Sequence, residues 1–216
     1  MIVNIVGGGP ERYLPDLDLY KEENAIWVGV DKGVSILLEK EIQPTAGFGD
    51  FDSVPGEKWE AIQTKIKNLH KFRPEKDETD MEIAINWALE QPGVESIRIF
   101  GGTGGRLDHF FANVQLLMKP IIKGLQAEMM MIDAQNILFI KQPGTYSIKK
   151  IADKKYISFI PITSVVKNLS LHGFKYPLTN CHIPFGSTLC ISNELNHDHG
   201  TFSFSEGILL VIRSRD

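Results

Sequence analysis

Short apolar stretches alternate with helical patterns over the first 120 or so residues, and that alternation constrains the fold more than any other feature of the chain. Ile2–Val6, Ala25–Val30, Thr45–Phe48, Leu69–Phe72 and Ser96–Phe100 read as strands. Val34–Lys40, a segment from Pro55 to about Lys67, the stretch from Asp80 and the stretch after Asp108 to about Met118 read as helices. Pro55 suits a first helical turn. Thr79-Asp80-Met81-Glu82 is a capping box, a Thr cap with Glu three residues on. The helix it opens carries Met81, Ile85 and Leu89 on one stripe and stops at Gln91-Pro92-Gly93. The later helix carries Phe110, Val114 and Leu117 on one stripe. Strand and helix in alternation predict an α/β domain, an open, mostly parallel sheet with helices on both faces.

The pattern changes near residue 125. Glu128–Ile132, Ile137–Ile140, Tyr146–Ile148, Tyr156–Ile160, Val166–Leu171, Ser187–Ile191, Thr201–Phe204 and Leu209–Ile212 are short runs with turn residues between them. No helical pattern interrupts them, which predicts an all-β sandwich. The expected domains are residues 1–124, α/β, and residues 125–216, β-sandwich.

A formal net charge of −4 favours neither nucleic acid nor an anionic membrane as partner. No apolar run approaches the ~18 residues of a membrane helix. The opening Met1–Val6 has no basic region before it and ends in glycines, so it reads as a strand rather than a signal peptide. Cys181 and Cys190 are the two cysteines, and without an export signal they are expected as free thiols in the cytoplasm.

The chemistry-bearing residues lie just past the carboxyl ends of successive strands, the edge where open α/β sheets bind ligands. Gly7-Gly8-Gly9 follows the first strand and lets a ligand approach the backbone, although G-x-G-x-x-G fails because Arg12 stands at the last position. Asp31 follows the second strand. Ala46-Gly47-Phe48-Gly49-Asp50-Phe51-Asp52-Ser53 sets two carboxylates two residues apart, and an extended segment would aim both to one side. At ~4 Å and an effective dielectric near 20 their repulsion is ~4 kcal/mol, which a proton or a cation relieves. Hard oxygen donors, completed by water and phosphate, suit Mg²⁺. Asp77 and Asp80 follow the fourth strand, and Gly101-Gly102-Thr103-Gly104-Gly105-Arg106 follows the fifth. That loop can turn N–H groups toward phosphate at the start of a helix, with the Arg106 fork beside it. No G-x-x-x-x-G-K-[ST] occurs.

Several residues admit two readings. Asp108 either holds Arg106 and its loop or is a favourable charge in a first helical turn. His109 reads as a helix-surface residue before a general base. His197 and His199, in the expected loop Glu194–Gly200, read as a solvated hairpin tip before a metal site. Phe202 and Phe204 share a face, as sandwich core or as a platform for a flat ligand.

Taken together the motifs resemble the thiamine pyrophosphokinase family in its bacterial form, over essentially the whole chain. The matching segments are Val30-Asp31-Lys32-Gly33, Gly49-Asp50-Phe51-Asp52-Ser53, Lys76-Asp77-Glu78-Thr79-Asp80, Gly101–His109, Gly173–Leu178, Ile191-Ser192-Asn193-Glu194 and the ending Gly207–Asp216. The resemblance implies transfer of a pyrophosphoryl group from ATP to the thiamine hydroxyl, giving thiamine diphosphate and AMP, by a homodimer. It implies that Asp50, Asp52 and Asp80 hold Mg²⁺, with Asp31 at the same site near thiamine. Lys76, Asp77 and Thr79 would line the ATP and thiamine pocket, Lys76 reaching thiamine as well. Gly8, Gly9, Gly102, Thr103, Gly104, Gly105, Arg106 and Asp108 would serve ATP, and Ser192 and Asn193 thiamine. Asp31 or Asp80 would accept the hydroxyl proton. A metal-dependent nucleotide phosphohydrolase shares the acidic cluster, and a non-catalytic thiamine or nucleotide sensor is a reading from another class.

Overall fold

Six parallel strands form the frame of the first half: β1 (Ile2–Val6), β2 (Ala25–Val30), β3 (Ala46–Gly49), β4 (Asn68–Lys71), β5 (Ser96–Phe100) and β6 (Glu128–Ile132). The computed structural model describes residues 1–51, 68–71 and 77–216, and the chain divides into two units, Met1–Ala134 and Gln135–Asp216. The expected helix from Pro55 and the end of the fourth strand at Phe72 lie outside the described residues. The sequence placed the change of architecture at residue 125, but β6 runs parallel to β5 and the first unit continues to Ala134.

The strand order is β6-β5-β1-β2-β3-β4. The chain walks outward from β1 to β4, then returns to the other side of β1 for β5 and β6, so a topological switch point falls between β1 and β5. Val3, Asn4, Ile5 and Val6 are buried in succession, as are Trp27 to Val30. A strand buried at consecutive residues is covered on both faces. Each fully buried Val or Ile contributes about 1.5–3 kcal/mol, so Val3, Ile5, Val28 and Ile99 anchor this sheet.

The helices are α1 (Lys32–Glu39), α2 (Asp80–Leu89), α3 (Leu107–Leu116) and the short α4 (Lys119–Ile122). α1 and α2 pack on the middle strands. The predicted stripe Met81, Ile85 and Leu89 of α2 is buried. Thr79 Oγ1 accepts from Glu82 N at 3.1 Å, one half of the capping box. The Glu82 carboxylate accepts from Lys119 Nζ.

The second unit is antiparallel throughout. One set of strands runs β12 (Asn193–Glu194), β9 (Tyr156–Pro161), β14 (Leu209–Ser214), β7 (Asn136–Lys141). The other runs β11 (Leu178–Pro184), β10 (Val165–His172), β13 (His199–Phe204), β8 (Gly144–Lys149). Phe159, Leu169, Leu171, Phe174, Phe202 and Val211 fill the core between them. Phe202 is 2% exposed and stacks on Tyr146, so Phe202 and Phe204 are core and not a platform. Ser187–Ile191, expected as a strand, is turn and loop, while Leu178–Pro184 supplies the strand instead. The reason is that β11 lies at an edge and exposes most of its side chains, so it carries no apolar alternation. His199 opens β13, opposite Lys149, rather than sitting in a loop. Both cysteines are free, and burial pushes the Cys190 thiol up to about 11.

Candidate active site

All six parallel strands point their carboxyl ends to one edge, and the expected residues of the first unit collect there. At the switch point two backbones run almost in contact. Gly7 N donates to Phe100 O at 2.8 Å and Gly9 N to Gly101 O at 3.0 Å. A Cβ on Gly9 would lie 2.5 Å from Gly101 O, and one on Gly101, whose φ is 64°, would lie 2.5 Å from Gly7 O. Only glycine allows this approach. Gly8 is exposed beside the first turn of α1, where Lys32 Nζ pairs with Glu11 at 2.8 Å.

The acids come next along the edge. Asp31 precedes α1 with φ 51°, and its N–H donates to Phe48 O at 2.8 Å, which locks the end of β2 to β3. A Cβ on Gly49 would lie 2.3 Å from Asp31 Oδ1, so Gly49 makes room for that carboxylate. Asp31 therefore lies against the residue before Asp50, and both acids are half-buried. The extended path that would aim Asp50 and Asp52 to one side ends at Gly49. Phe51 takes φ 55° and its ring is buried against Val34, so burial of the ring turns the chain. Asp52 and Lys76 lie outside the described residues. Asp77 is exposed, Thr79 caps α2, and Asp80 is the first residue of that helix. Among the described residues no three His, Cys, Asp or Glu side chains converge closely enough to hold a metal ion. Asp31 and Asp50 nevertheless supply hard oxygen donors, the kind Mg²⁺ takes.

The loop after β5 has positive φ at Gly101, Gly104 and Gly105. Gly102 O is fixed by the buried Asn113 Nδ2 at 3.0 Å, and Tyr13 packs under Gly104. Thr103 is buried, and its hydroxyl has no hydrogen-bond partner among the described residues. Such an orphan at a glycine loop fits a bound oxyanion. Arg106 donates from Nε and Nη2 to the two oxygens of Asp108, at 3.1 and 2.5 Å. Arg106 and the His109 N–H hold the Asp108 carboxyl down at about 2. Two of the five guanidinium N–H donors are used, which leaves the outer Nη1/Nη2 edge of an exposed arginine open to phosphate. His109 is exposed.

Asn113, Tyr13 and Asp133 were not singled out from sequence. Asp133, buried directly after β6, obeys the same strand-end rule as Asp31 and was legible by it. Asn113 sits mid-helix with no local motif to mark it.

In the second unit Ser192 is exposed with φ 56°, its N–H donating to Ser158 Oγ at 3.0 Å. Asn193 is buried and braced: its Oδ1 accepts from Tyr176 N and Glu194 N, and its Nδ2 donates to Tyr176 O at 2.8 Å. The brace presents Tyr176, whose ring is exposed, with Lys175 Nζ 5.5 Å from the ring centre.

A family model described as the thiamin pyrophosphokinase catalytic domain matches residues 17–130, and one described as the thiamin pyrophosphokinase vitamin B1 binding domain matches residues 145–209. The chain is 51% identical over 215 residues to a thiamine pyrophosphokinase of Bacillus subtilis (strain 168), with 99% of each chain covered. It is 26% identical over 196 residues to a thiamin pyrophosphokinase of Caenorhabditis elegans, covering 86% of this chain and 77% of that one. The crystal structure of a Bacillus subtilis thiamine pyrophosphokinase matches with a TM-score of 0.93 at 50% identity, over 100% of both chains. That of a thiamin pyrophosphokinase family protein from Enterococcus faecalis matches with a TM-score of 0.90 at 33% identity, again over 100% of both.

Proposed function

The chain belongs to the thiamin pyrophosphokinase family, and from that premise we propose how its own residues carry the reaction. It is a transferase that moves the pyrophosphoryl group of ATP to thiamine, giving thiamine diphosphate and AMP. The thiamine hydroxyl oxygen bonds to the β-phosphorus of ATP. The bond from that phosphorus to the α–β bridging oxygen breaks, and AMP leaves with the oxygen. The hydroxyl proton passes to a carboxylate.

Asp31 takes that proton. The observation that supports this assignment is its setting: a non-glycine residue at φ 51°, tied to β3 by its N–H and given room by Gly49. Backbone held in a sparsely populated region clusters where a side chain must be aimed. Asp50, Asp52 and Asp80 would hold Mg²⁺, which would supply neutralisation of charge on the phosphate oxygens. The Gly8–Gly9 and Gly102–Gly105 backbones, Thr103 and the open edge of Arg106 hold the phosphates, Asp108 keeping Arg106 in place. Lys76, Asp77 and Thr79 complete the ATP side. Transfer of this kind needs alignment and charge neutralisation more than covalent help.

Thiamine is a flat cation. The exposed Tyr176 ring, braced by Asn193 and next to the exposed Ser192, offers a face to such a ring. Phe185, Leu189 and Ile191 are apolar and exposed on the second unit, which supports a homodimer. The free thiols suit the cytoplasm. Among the described residues no helix is long and apolar enough to cross a membrane.

The test is analysis of nucleotide products from ATP and Mg²⁺ with and without thiamine. AMP that appears only with thiamine and matches thiamine diphosphate mole for mole is the expected result. ADP would move the point of attack to the γ-phosphorus, and AMP without thiamine would favour the hydrolase. Sedimentation velocity of the chain checks the dimer.

A further inference from the structure

Leu209, Val211 and Arg213 follow one another on the same face of β14, the face that fills the sandwich core. Leu209 and Val211 belong there. Arg213 does not: it is 6% exposed, in register with Ile137 and Ile157. A guanidinium keeps its proton in a protein, so a full charge stands at the end of an apolar stripe. Its Nε and Nη2 find no hydrogen-bond partner among the described residues. These two nitrogens share one edge of the guanidinium plane, and their N–H bonds run parallel, the fork that takes two oxygens of one anion. Asp153 attracts Arg213 only through space, and a buried charge without a hydrogen-bonded partner is among the costliest features a fold can carry.

Arg213 lines a cavity of about 300 Å³ within the second unit. Lys150, Lys154 and Lys155, from the turn between β8 and β9, line it too, with Glu194 and the apolar Ile157. The acids there are already engaged. Asp153 pairs with Lys154 at 2.5 Å and lies 4.0 Å from Arg215. Glu194 is shared between Lys155 at 3.3 Å and Lys175 at 3.0 Å. Among the residues that line the cavity, Lys150, Lys154, Lys155 and Arg213 are cations and Glu194 is the acid. That excess calls for more than one negative charge. The volume is about ten times the share of one water in the liquid, more than hydration of one guanidinium edge requires.

We propose that this cavity is an oxyanion site that takes a phosphate group, free or at the end of a small phosphomonoester, held side-on by Arg213 with Lys150 facing it from the turn. A dianion fits the excess charge and the paired N–H groups together. None of its lining residues belongs to the strand edge of the first unit, so the inference does not depend on the reading of that edge.

Calorimetric titration of the full chain, without nucleotide or divalent cation, tests it with inorganic phosphate and with glycerol 2-phosphate. Binding is expected at a site that Arg213→Met weakens at least about tenfold and Arg106→Gln leaves intact. Arg213→Met also removes a buried charge. Its melting temperature in phosphate-free buffer should be no lower than that of the wild type, while the rise in melting temperature that phosphate produces should vanish. Lys150→Ala, at an exposed position, carries the same titration if Arg213→Met does not fold. Tighter binding of the monoester identifies an organic phosphate as the occupant, and tighter binding of the ion identifies free phosphate. An isotherm unchanged in both Arg213→Met and Lys150→Ala, one lost only in Arg106→Gln, or no binding up to about 10 mM overturns the proposal.

Discussion

The strand edge of the first unit and the Ser192–Asn193 segment of the second hold their functional groups by different means. On the edge the backbone does the holding. Gly9 and Gly101 cross with no space for a methyl group, and Gly49 yields to the Asp31 carboxylate. In the segment one buried amide does it, with Asn193 bonded to both polar atoms of the Tyr176 backbone. Backbone contacts of the first kind have no slack, because neither carbonyl can move without shifting a strand. A side-chain brace can be lost and leave the strand β12 paired to β9. The first arrangement suits groups that must be aimed at a reacting atom. The second suits a surface that receives a ring.

The sharpest way to break this comparison is to change the aimed group and keep its frame. Asp31→Asn retains size and tolerance of positive φ, and removes the proton acceptor. The rate of thiamine-dependent AMP formation should fall by about 10²–10⁴-fold. The urea midpoint should move less than that of Gly101→Ala, since the Asp31 N–H bond to Phe48 O and the room left by Gly49 are unchanged. A loss of rate below about tenfold would remove Asp31 from the proton transfer and turn attention to Asp80.

The frames themselves can be compared in one experiment. Gly101→Ala must place a Cβ 2.5 Å from Gly7 O at φ 64°, and overpacking of this kind costs about 3 kcal/mol. Asn193→Ala leaves the Tyr176 N–H and carbonyl without their partners, at about 1–3 kcal/mol. Urea denaturation of the two variants should therefore rank Gly101→Ala as the more damaging. In the folded fraction, Asn193→Ala should raise the KM for thiamine with little change in that for ATP. The reverse ranking, or an equal effect on both substrates, would mean that the two regions are not held differently.

The same contrast governs what could be read from sequence. The first unit was legible because its strands and helices switch period and because glycines and acids mark strand ends. Asp31, Gly49, Asp50 and Gly101–Gly105 needed only that rule, and Asp133 would have yielded to it too. Phe51 shows where the rule stops: Asp50 and Asp52 would share a side only on an extended segment, and Phe51, buried against Val34, takes φ 55° instead. The second unit was legible as a sandwich but not strand by strand. β11 is an exposed edge with Pro and Asn, and the apolar Leu189, Cys190 and Ile191 belong to a turn whose carbonyl at Cys190 caps Phe159 N. Arg213 was invisible because the apolar run before it ends at Ile212, and only the register of β14 shows that the core-facing row continues to it.

The smallest expected effect sharpens the account of Arg106. Its pair with Asp108 is fully exposed, so salt screens it and it adds little to stability. Its titration is still readable. Arg106 first, then the His109 N–H, depress the Asp108 carboxyl from 3.8 to about 2. A depressed acid favours the folded state above its unfolded value, and that contribution disappears as pH falls through the folded value. The stability difference between wild type and Asp108→Asn should therefore be constant above about pH 4 and shrink between there and pH 2. The carboxyl carbon of Asp108, followed by NMR, should titrate near 2 and move back toward the ordinary value in Arg106→Gln. Bound phosphate should do less than that substitution, because the outer edge of Arg106 is open while its Nε edge stays on Asp108. A midpoint that phosphate shifts as far as Arg106→Gln does would show that Arg106 leaves Asp108 to reach the ligand. The glycine loop would then owe its shape to its own backbone and to Asn113, not to that ion pair.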